Sequence, residues 1–448
     1  MKILSNLTKL ILPLIIVVFS CFFMACEPTP PPSIHEHRFD EFGNCYYGCN
    51  TTVIYDKGLS YLLVDDYYEV FYNEYSDYNE LIIPATFQGI HVKKIAYKAF
   101  YEHPITSITF EEGLTEIGAY AFYKTNITQL NLPNSLVKIG DCAIEGCEEL
   151  SSVYIGKNLL SFGDGCNYLN KVAEFIVNEE NPVYKAIDGN LYNKDATILY
   201  DYANAKFAET FTLPSTVLEI GEYAFYGEHD LTKVILPNGL KSIEAYTFAY
   251  CVNLTDIDIP DSVTNLGCNS FFNCSRLENI SLSNNITTLE RNTFENCDSL
   301  TKIDLPNSLL TIGNDAFYSC DKLTSVVIPN SVDEISSMAF YRCVSLTNIT
   351  IPKSVKTIGY NCFSQCFNLS QVVISNGVQI IDSESFYDCE KLTEIIIPIS
   401  VKSICYNAFP NTLQHIYYAG TEEQWNVIYN GINDTTEESP IVHYNYNN

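Results

Sequence analysis

Basic residues are scarce in this chain of 448 residues: 25 Lys and Arg stand against 54 Asp and Glu, which leaves a formal charge of −29. A nucleic-acid-binding protein needs a basic face to neutralise phosphates, so this class is excluded. Intrinsic disorder is excluded as well, because 47% of the residues are hydrophobic and 13% are aromatic. From its length alone, two to four globular domains are expected.

Catalytic signatures are also missing. The chain contains no Gly-x-Ser-x-Gly elbow, no His-Glu-x-x-His pair and no phosphate loop, and its seven His residues are scattered. His35, His37, Cys45 and Cys49 permit a zinc site, a Cys45–Cys49 disulfide or free thiols, but their spacing matches no common zinc class. We therefore predict no enzymatic activity, no catalytic or metal-binding residue, no cofactor and no small-molecule substrate.

Long apolar runs are absent except near the N-terminus. Lys2 and Lys9 precede a run of 16 residues, Leu10 to Ala25, which is shorter than the roughly 20 residues that a membrane-spanning helix needs. Cys26 and a proline-rich stretch follow it. This pattern resembles a bacterial lipoprotein signal, which implies export and a lipid anchor on Cys26 at the bacterial cell surface. Lipidation at Cys21 and secretion without a lipid are the alternatives.

What the chain does contain is a repeat of 23 residues. The repeat unit reads Leu-Thr-x-Ile-x-Ile-Pro-x-Ser-Val-x-x-Ile-Gly-x-x-Ala-Phe-x-x-Cys, and about thirteen units lie between Ala96 and Pro410. The anchor aromatics that repeat at this spacing are Phe225, Phe248, Phe271, Phe294, Phe317, Phe340, Phe363, Phe386 and Phe409. A single unit has too little apolar surface to fold alone, but stacked units form one continuous core.

Cysteine follows the anchor by three residues in most units. This column holds eight of the 17 cysteines: Cys147, Cys251, Cys274, Cys297, Cys320, Cys343, Cys366 and Cys389. Stacked turns place equivalent residues about 4.8 Å apart. Adjacent cysteines in the column come close to the separation that a disulfide bond needs. A single file of thiols, however, cannot converge on one zinc ion. We expect buried free thiols that fill space inside the turns.

A period of about 20–29 residues with Leu-x-x-Leu-x-Leu is typical of leucine-rich repeats. The Ile-Pro, Ile-Gly-x-x-Ala-Phe and Cys positions resemble those of the BspA-like (Treponema-type) leucine-rich repeat surface lipoprotein family, over most of residues 60–428. The resemblance implies a β-rich repeat solenoid: a right-handed leucine-rich-repeat array of 23-residue units with N- and C-terminal caps, in place of several domains.

The segments that follow from this interpretation are a signal peptide (1–25), a lipid-proximal Pro-rich tether (26–51), N-terminal cap strands with an entry repeat (52–95), leucine-rich repeats (96–172), a β-hairpin insertion (173–213), further repeats (214–412) and a C-terminal cap (413–448). Asp188-Gly189 predicts the turn of the hairpin, which is expected to protrude. Thr421 and Gln424 form a capping-box pattern that predicts a short helix, and a last strand is expected at 441–446.

In leucine-rich repeats, positions 2, 3 and 5 of each strand face outward. Position 2 is nearly always Thr or Ser here, which strand propensity explains. Positions 3 and 5 vary from turn to turn. Recognition of a partner and neutral drift both produce such variation. The candidate protein-binding residues are Lys233, Asp256, Asp258, Asn279, Lys302, Asp304, Asn348, Gln371 and Glu394.

The family resemblance implies adhesion: a non-enzymatic surface protein that binds host or neighbouring-cell proteins through its solenoid. The membrane is then contacted through the lipid anchor alone. One alternative is an envelope scaffold or structural spacer. A third, less favoured hypothesis is a ligand-capture lipoprotein, which needs a closed small-molecule pocket.

Overall fold

The computed structural model describes residues 53–74, 77–163, 172–203, 208–429 and 440–446. Residues Tyr55–Asn448 form one compact unit. This unit is a β-solenoid of about 15 turns with repeats of roughly 23 residues, which confirms the predicted fold class. The predicted signal peptide, the predicted lipid site Cys26, the predicted tether and the His35/Cys45 set lie outside the described residues.

Each turn supplies two strands because its apolar residues occur in two short alternating groups. In Asn348–Ile351, Ile349 and Ile351 are buried while Asn348 and Thr350 face outward. Pro352 follows and removes a backbone donor, which ends the strand. After a tight turn, the two-residue strand Thr357–Ile358 buries its Ile. The two sets of strands form a first row and a second row along the solenoid.

Strands of the first row are β4 (Glu80–Ile83), β7 (Ser107–Phe110), β9 (Gln129–Asn131), β11 (Ser152–Ile155), β13 (Glu174–Val177), β17 (Thr210–Thr212), β19 (Lys233–Ile235), β21 (Asp256–Asp258), β23 (Asn279–Ser281), β25 (Lys302–Ile303), β27 (Ser325–Val326), β29 (Asn348–Ile351), β31 (Gln371–Ile374), β33 (Glu394–Ile397) and β35 (His415–Tyr418). Pairing within this row is parallel and joins adjacent turns in register.

Strands of the second row are β6 (Ile90–Ile95), β8 (Glu116–Ile117), β10 (Lys138–Ile139), β12 (Ser161–Phe162), β16 (Ile198–Asp201), β18 (Glu219–Ile220), β20 (Ser242–Ile243), β22 (Asn265–Leu266), β24 (Thr288–Leu289), β26 (Thr311–Ile312), β28 (Glu334–Ile335), β30 (Thr357–Ile358), β32 (Ile380–Ile381) and β34 (Ser403–Ile404). Outside the two rows lie β1 (Val53–Asp56), β2 (Leu59–Val64), β3 (Tyr67–Tyr72), β5 (Thr86–Phe87), β14 (Tyr184–Ile187), β15 (Asn190–Asn193), the helix α1 (Glu422–Ile428) and β36 (Ile441–His443).

The third side of each turn has no strand but carries the anchor aromatic. Phe248 has no exposed surface, and its ring centroid lies 5.0 Å from that of Phe225 and 5.3 Å from that of Phe271. The Phe248 amide donates to the Ser270 carbonyl of the next turn at 2.8 Å. Because burial of one such side chain contributes about 1.5–3 kcal/mol, the stacked Phe column is a major source of stability.

Left-handed backbone flanks the anchors from Phe225 to Phe386, two residues before each anchor and two after it. Around Phe248 these are Tyr246 (φ 56°) and Tyr250 (φ 61°), and around Phe340 they are Met338 (φ 56°) and Arg342 (φ 57°). This conformation costs on the order of 1 kcal/mol for a residue with a Cβ atom. The turn-to-turn backbone hydrogen bonds of this side offset that cost.

The predicted hairpin turn is present: β14 and β15 pair antiparallel, and Asp188 (φ 51°) and Gly189 (φ 83°) form the loop between them. The expectation that the hairpin protrudes is wrong. β15 pairs on with β16, which joins the second row by pairing with β18, and Tyr192 of β15 has no exposed surface. The insertion therefore joins the core of the repeats that follow it.

The C-terminal cap begins as its capping box predicts. The Gln424 amide donates to the Thr421 hydroxyl, and the Gln424 side chain accepts from the Thr421 amide at 2.8 Å, so α1 starts at Glu422. The last strand, β36, pairs in parallel with β35. Among the described residues, no helix is both long and apolar enough to cross a bilayer.

Candidate binding face

The outward side of the first row, here called the strand face, carries the candidate residues. Eight of the nine are exposed: Lys233, Asp258, Asn279, Lys302, Asp304, Asn348, Gln371 and Glu394. Asp256 is half-buried. The alternation of the strands explains this placement, because positions 1, 4 and 6 turn inward and leave positions 3 and 5 in solvent.

Parallel register aligns position 3 of successive turns into one file. Lys233 lies opposite Asp256, and Asp256 lies opposite Asn279. Asp256 accepts from the Thr255 hydroxyl at 2.7 Å and from the Asn279 side-chain amide at 2.9 Å. These hydrogen bonds, with a smaller effect from the Lys233 charge, lower the pKa of Asp256. Asp256 therefore stays ionised at neutral pH, and its hydrogen bonds pre-order this polar part of the face.

Backbone pairing does not extend along the whole strand face. In the part that carries the candidates, the first row is divided between β23 and β25 and again between β27 and β29. The second of these breaks separates the mainly charged candidates, from Lys233 to Asp304, from a mainly neutral group that contains Asn348 and Gln371 and ends at Glu394. The structure does not bring all nine together in one patch.

Exposed apolar side chains occupy position 5 of the same face. Ile235 is 45% exposed, Val327 81% and Val373 54%. Val327 lies between the two groups of polar candidates. The candidate set of the sequence analysis omitted these residues, although their position in the repeat already indicated that they face outward. Position 5 of the turns between them holds Asp258, Ser281, Asp304 and Thr350, so each apolar side chain is exposed singly among polar ones.

The cysteine column is confirmed as a file of buried free thiols. It also has a hydrogen-bonding role that the sequence did not show. The Cys320 thiol donates to the Phe294 carbonyl at 3.1 Å, and the Cys343 thiol donates to the Phe317 carbonyl at 3.2 Å. Burial raises the pKa of these thiols, so they stay protonated and can donate. The column thus supplies a hydrogen bond to one backbone carbonyl in each of these turns.

Glu228 occupies the column slot one turn before Cys251. Its side chain is 3% exposed, and that of Asp201 is 4% exposed. Oδ2 of Asp201 and Oε2 of Glu228 have no hydrogen-bond partner. Burial, with a contribution from Asp230, raises the pKa of Glu228 to about 8. Burial and the neighbouring Glu228 raise the pKa of Asp201 well above its usual range. This pair weakens the array where the insertion ends.

A family model supplies the decisive comparison. The model of the BspA type leucine rich repeat region matches six copies, over residues 67–193, 199–322 and 287–416, which together span well over half of the chain. The chain belongs to this BspA type family. Leucine-rich-repeat proteins of this kind are generally non-enzymatic, and BspA-like members are typically cell-surface proteins. No curated protein matches the chain.

Solved structures confirm the leucine-rich-repeat fold. A leucine-rich repeat protein from Eubacterium ventriosum ATCC 27560 is 23% identical, with a TM-score of 0.59, over 69% of this chain and 93% of that one. A leucine-rich repeat protein from Bacteroides ovatus ATCC 8483 is 22% identical, with a TM-score of 0.53, over 87% and 99%. A leucine rich cell surface protein from Faecalibacterium prausnitzii A2-165 is 24% identical, with a TM-score of 0.50, over 87% and 99%.

Proposed function

We propose that this BspA type protein is a non-enzymatic adhesion protein of the bacterial cell surface, which binds host or neighbouring-cell proteins through the strand face. The observation that carries the proposal is the exposure of the position-5 side chains Ile235, Val327 and Val373, each set among polar residues of the strand face. Apolar anchors surrounded by polar side chains are the usual composition of a protein-binding surface.

The length of the face favours a macromolecular partner. Contacts repeat once per turn along the first row, so many weak contacts add up without one deep pocket. A small-molecule ligand gains most of its affinity from a concave cavity, which the Phe column denies to the interior of the repeats. The repeats between Leu213 and Leu413 form one continuous apolar core.

The position of the protein in the cell is part of the same proposal. Residues 1–25 direct export, Cys26 carries the lipid, and residues 26–51 space the solenoid from the membrane. Incorporation of labelled palmitate tests this directly. Incorporation should be lost in Cys26→Ser and kept in Cys21→Ser; the reverse pattern, or no incorporation in the wild type, rejects the anchor at Cys26.

The binding function is tested by offering the exported chain immobilised host matrix proteins and, separately, bacterial envelope extracts. Adhesion predicts saturable binding to the matrix proteins that weakens when the charges of Lys233, Asp256, Asp258, Lys302 and Asp304 are reversed. Binding to envelope extracts alone favours the scaffold or spacer function. Binding that survives these charge reversals excludes the charged group as the contact region.

A further inference from the structure

Two imidazoles face each other at the C-terminal end of the strand face. Nε2 of His443 lies 3.2 Å from Nδ1 of His415. His415 belongs to β35 and His443 to β36, and the parallel register of these strands sets His415 opposite Ile441 and Tyr417 opposite His443. Both His side chains are half-buried, so ions in solvent reach them.

The distance between the two nitrogens fits a chelated ion. Zinc binds His nitrogen at about 2.0–2.1 Å. Two such bonds at a tetrahedral angle separate the nitrogens by about 3.4 Å, and at a right angle by about 2.9 Å. The observed 3.2 Å lies between these limits. We propose that His415 and His443 form a two-imidazole site for a divalent transition-metal ion of the zinc, nickel or copper type.

The two imidazoles can bind the ion without releasing a proton. In the metal-free pair, one ring nitrogen donates the hydrogen that the other accepts. Metal binding needs lone pairs on both inner nitrogens, so each neutral ring keeps its single hydrogen on the outer nitrogen, Nε2 of His415 and Nδ1 of His443. The ion then replaces the bridging hydrogen, and no proton leaves a neutral pair.

The surroundings hold the rings and favour a cation. The ring of Tyr417 stacks on His443 with centroids 4.7 Å apart and planes 13° apart, which restricts the rotation of His443. Glu394, exposed on β33, is the cross-strand neighbour of His415 and places a negative charge beside the pair. Among the described residues, no three His, Cys, Asp or Glu side chains converge on one point, so water completes the coordination.

A bound ion would link the last two strands of the cap. β36 is the terminal strand of its sheet and pairs with β35. The single tryptophan of the chain, Trp425, is buried in the same cap, 4.9 Å from the ring of Tyr429 and 5.3 Å from that of Tyr418. Its fluorescence therefore reports unfolding of the region that the ion would clamp.

The test titrates Zn²⁺ into the exported chain by calorimetry and follows thermal unfolding by Trp425 fluorescence. His35, His37, Cys45 and Cys49 are first replaced by Ser, because they form a second set of metal-ligand types. We expect one Zn²⁺ per chain and an upward shift of the cap transition at pH 7.5.

Two variants and one control decide the outcome. His443→Gln and His415→Asn keep a hydrogen-bonding side chain and should melt like the parent without metal, but they should lose Zn²⁺ binding and the thermal shift. His91→Gln, which removes an exposed His of β6 far along the chain, should keep both. Zn²⁺ binding that persists in the two cap variants, or no binding by the parent, overturns the proposal and leaves a simple imidazole hydrogen bond.

Discussion

Glu228→Gln should stabilise the solenoid by an amount that grows with pH. Glu228 is buried without a partner for Oε2, and its pKa in the folded chain is raised to about 8, from about 4.5 when solvated. Below pH 4.5 the carboxyl is protonated in both states and costs nothing. Between pH 4.5 and 8 the folded chain keeps a proton that the unfolded chain releases, so stability falls as pH rises.

The size of this change in stability follows from the pKa shift of Glu228. Each pH unit in this window lowers the free energy of unfolding by about 1.36 kcal/mol. From pH 5 to pH 7 the wild type should therefore lose about 2–3 kcal/mol relative to Glu228→Gln. Above pH 8 the difference levels off. A constant offset, from burying the amide of Gln, does not change this slope.

Urea unfolding followed by circular dichroism between pH 5 and pH 8 provides the assay, with the unfolding midpoint as the readout because long repeat arrays unfold in parts. Glu278→Gln is the matched control, since Glu278 is exposed and its carboxyl faces water in both states. If the wild type and Glu228→Gln differ by the same amount at every pH, the argument from the buried carboxyl is wrong.

Three further predictions concern the repeat itself. Phe317→Ala should lower the free energy of unfolding in urea by about 3–5 kcal/mol, because its fully buried ring stacks between Phe294 and Phe340. Tyr318→Ala should lower it less, because Tyr318 is half-buried. Equal losses would contradict a stabilising role of the Phe column. Cys320 should resist thiol reagents in the folded chain and react in denaturant, while the half-buried Cys405 reacts in both; equal rates in the folded chain would argue against a buried column. Gly189→Ala should lower stability by about 1 kcal/mol, because a residue with a Cβ atom is strained at a φ of 83°. The cost stays this small because the atoms nearest to the new Cβ are 3.7 Å away and do not clash with it. An unchanged unfolding midpoint would contradict the turn geometry.

The array itself was predictable because every turn repeats the same requirements. Phe248 and Phe271 are 23 residues apart and stack directly, so spacing along the chain translates into contact in space. The capping box of Thr421 and the turn at Asp188-Gly189 were equally accessible, since both depend on neighbouring residues. The boundaries assigned to the signal, tether and caps stay predictions.

Features that depend on contacts between turns were not predictable. The thiol of Cys320 donates to a carbonyl 26 residues away, and no local pattern reveals this bond. Met338 and Arg342 lie in left-handed backbone that their residue types do not favour, because neighbouring turns dictate it. Asp201 meets Glu228 only because the hairpin insertion enters the second row and brings its last strand beside the repeats.

The strand face followed in outline from the repeat, but its apolar members did not. Positions 3 and 5 were correctly expected to face outward. Val327, the most exposed large apolar residue of the face at 81%, is not among the polar candidates predicted from the sequence. Polar residues at varied positions attract attention in a sequence, whereas an exposed valine is distinguishable from a core valine only by its register in the strand.

Protein binding through the strand face is tested most directly by paired substitutions at exposed apolar sites on two sides of the solenoid. Val327→Asp places a charge on the strand face, and Leu310→Asp places one beside β26 of the second row, where Leu310 is 46% exposed. Affinity for the captured partner is measured by surface plasmon resonance. Val327→Asp should weaken binding at least about tenfold, because an unpaired carboxylate is costly in an interface, while Leu310→Asp should bind like the wild type. Unchanged binding by Val327→Asp, or equal loss in both variants, would contradict the proposed function of this face.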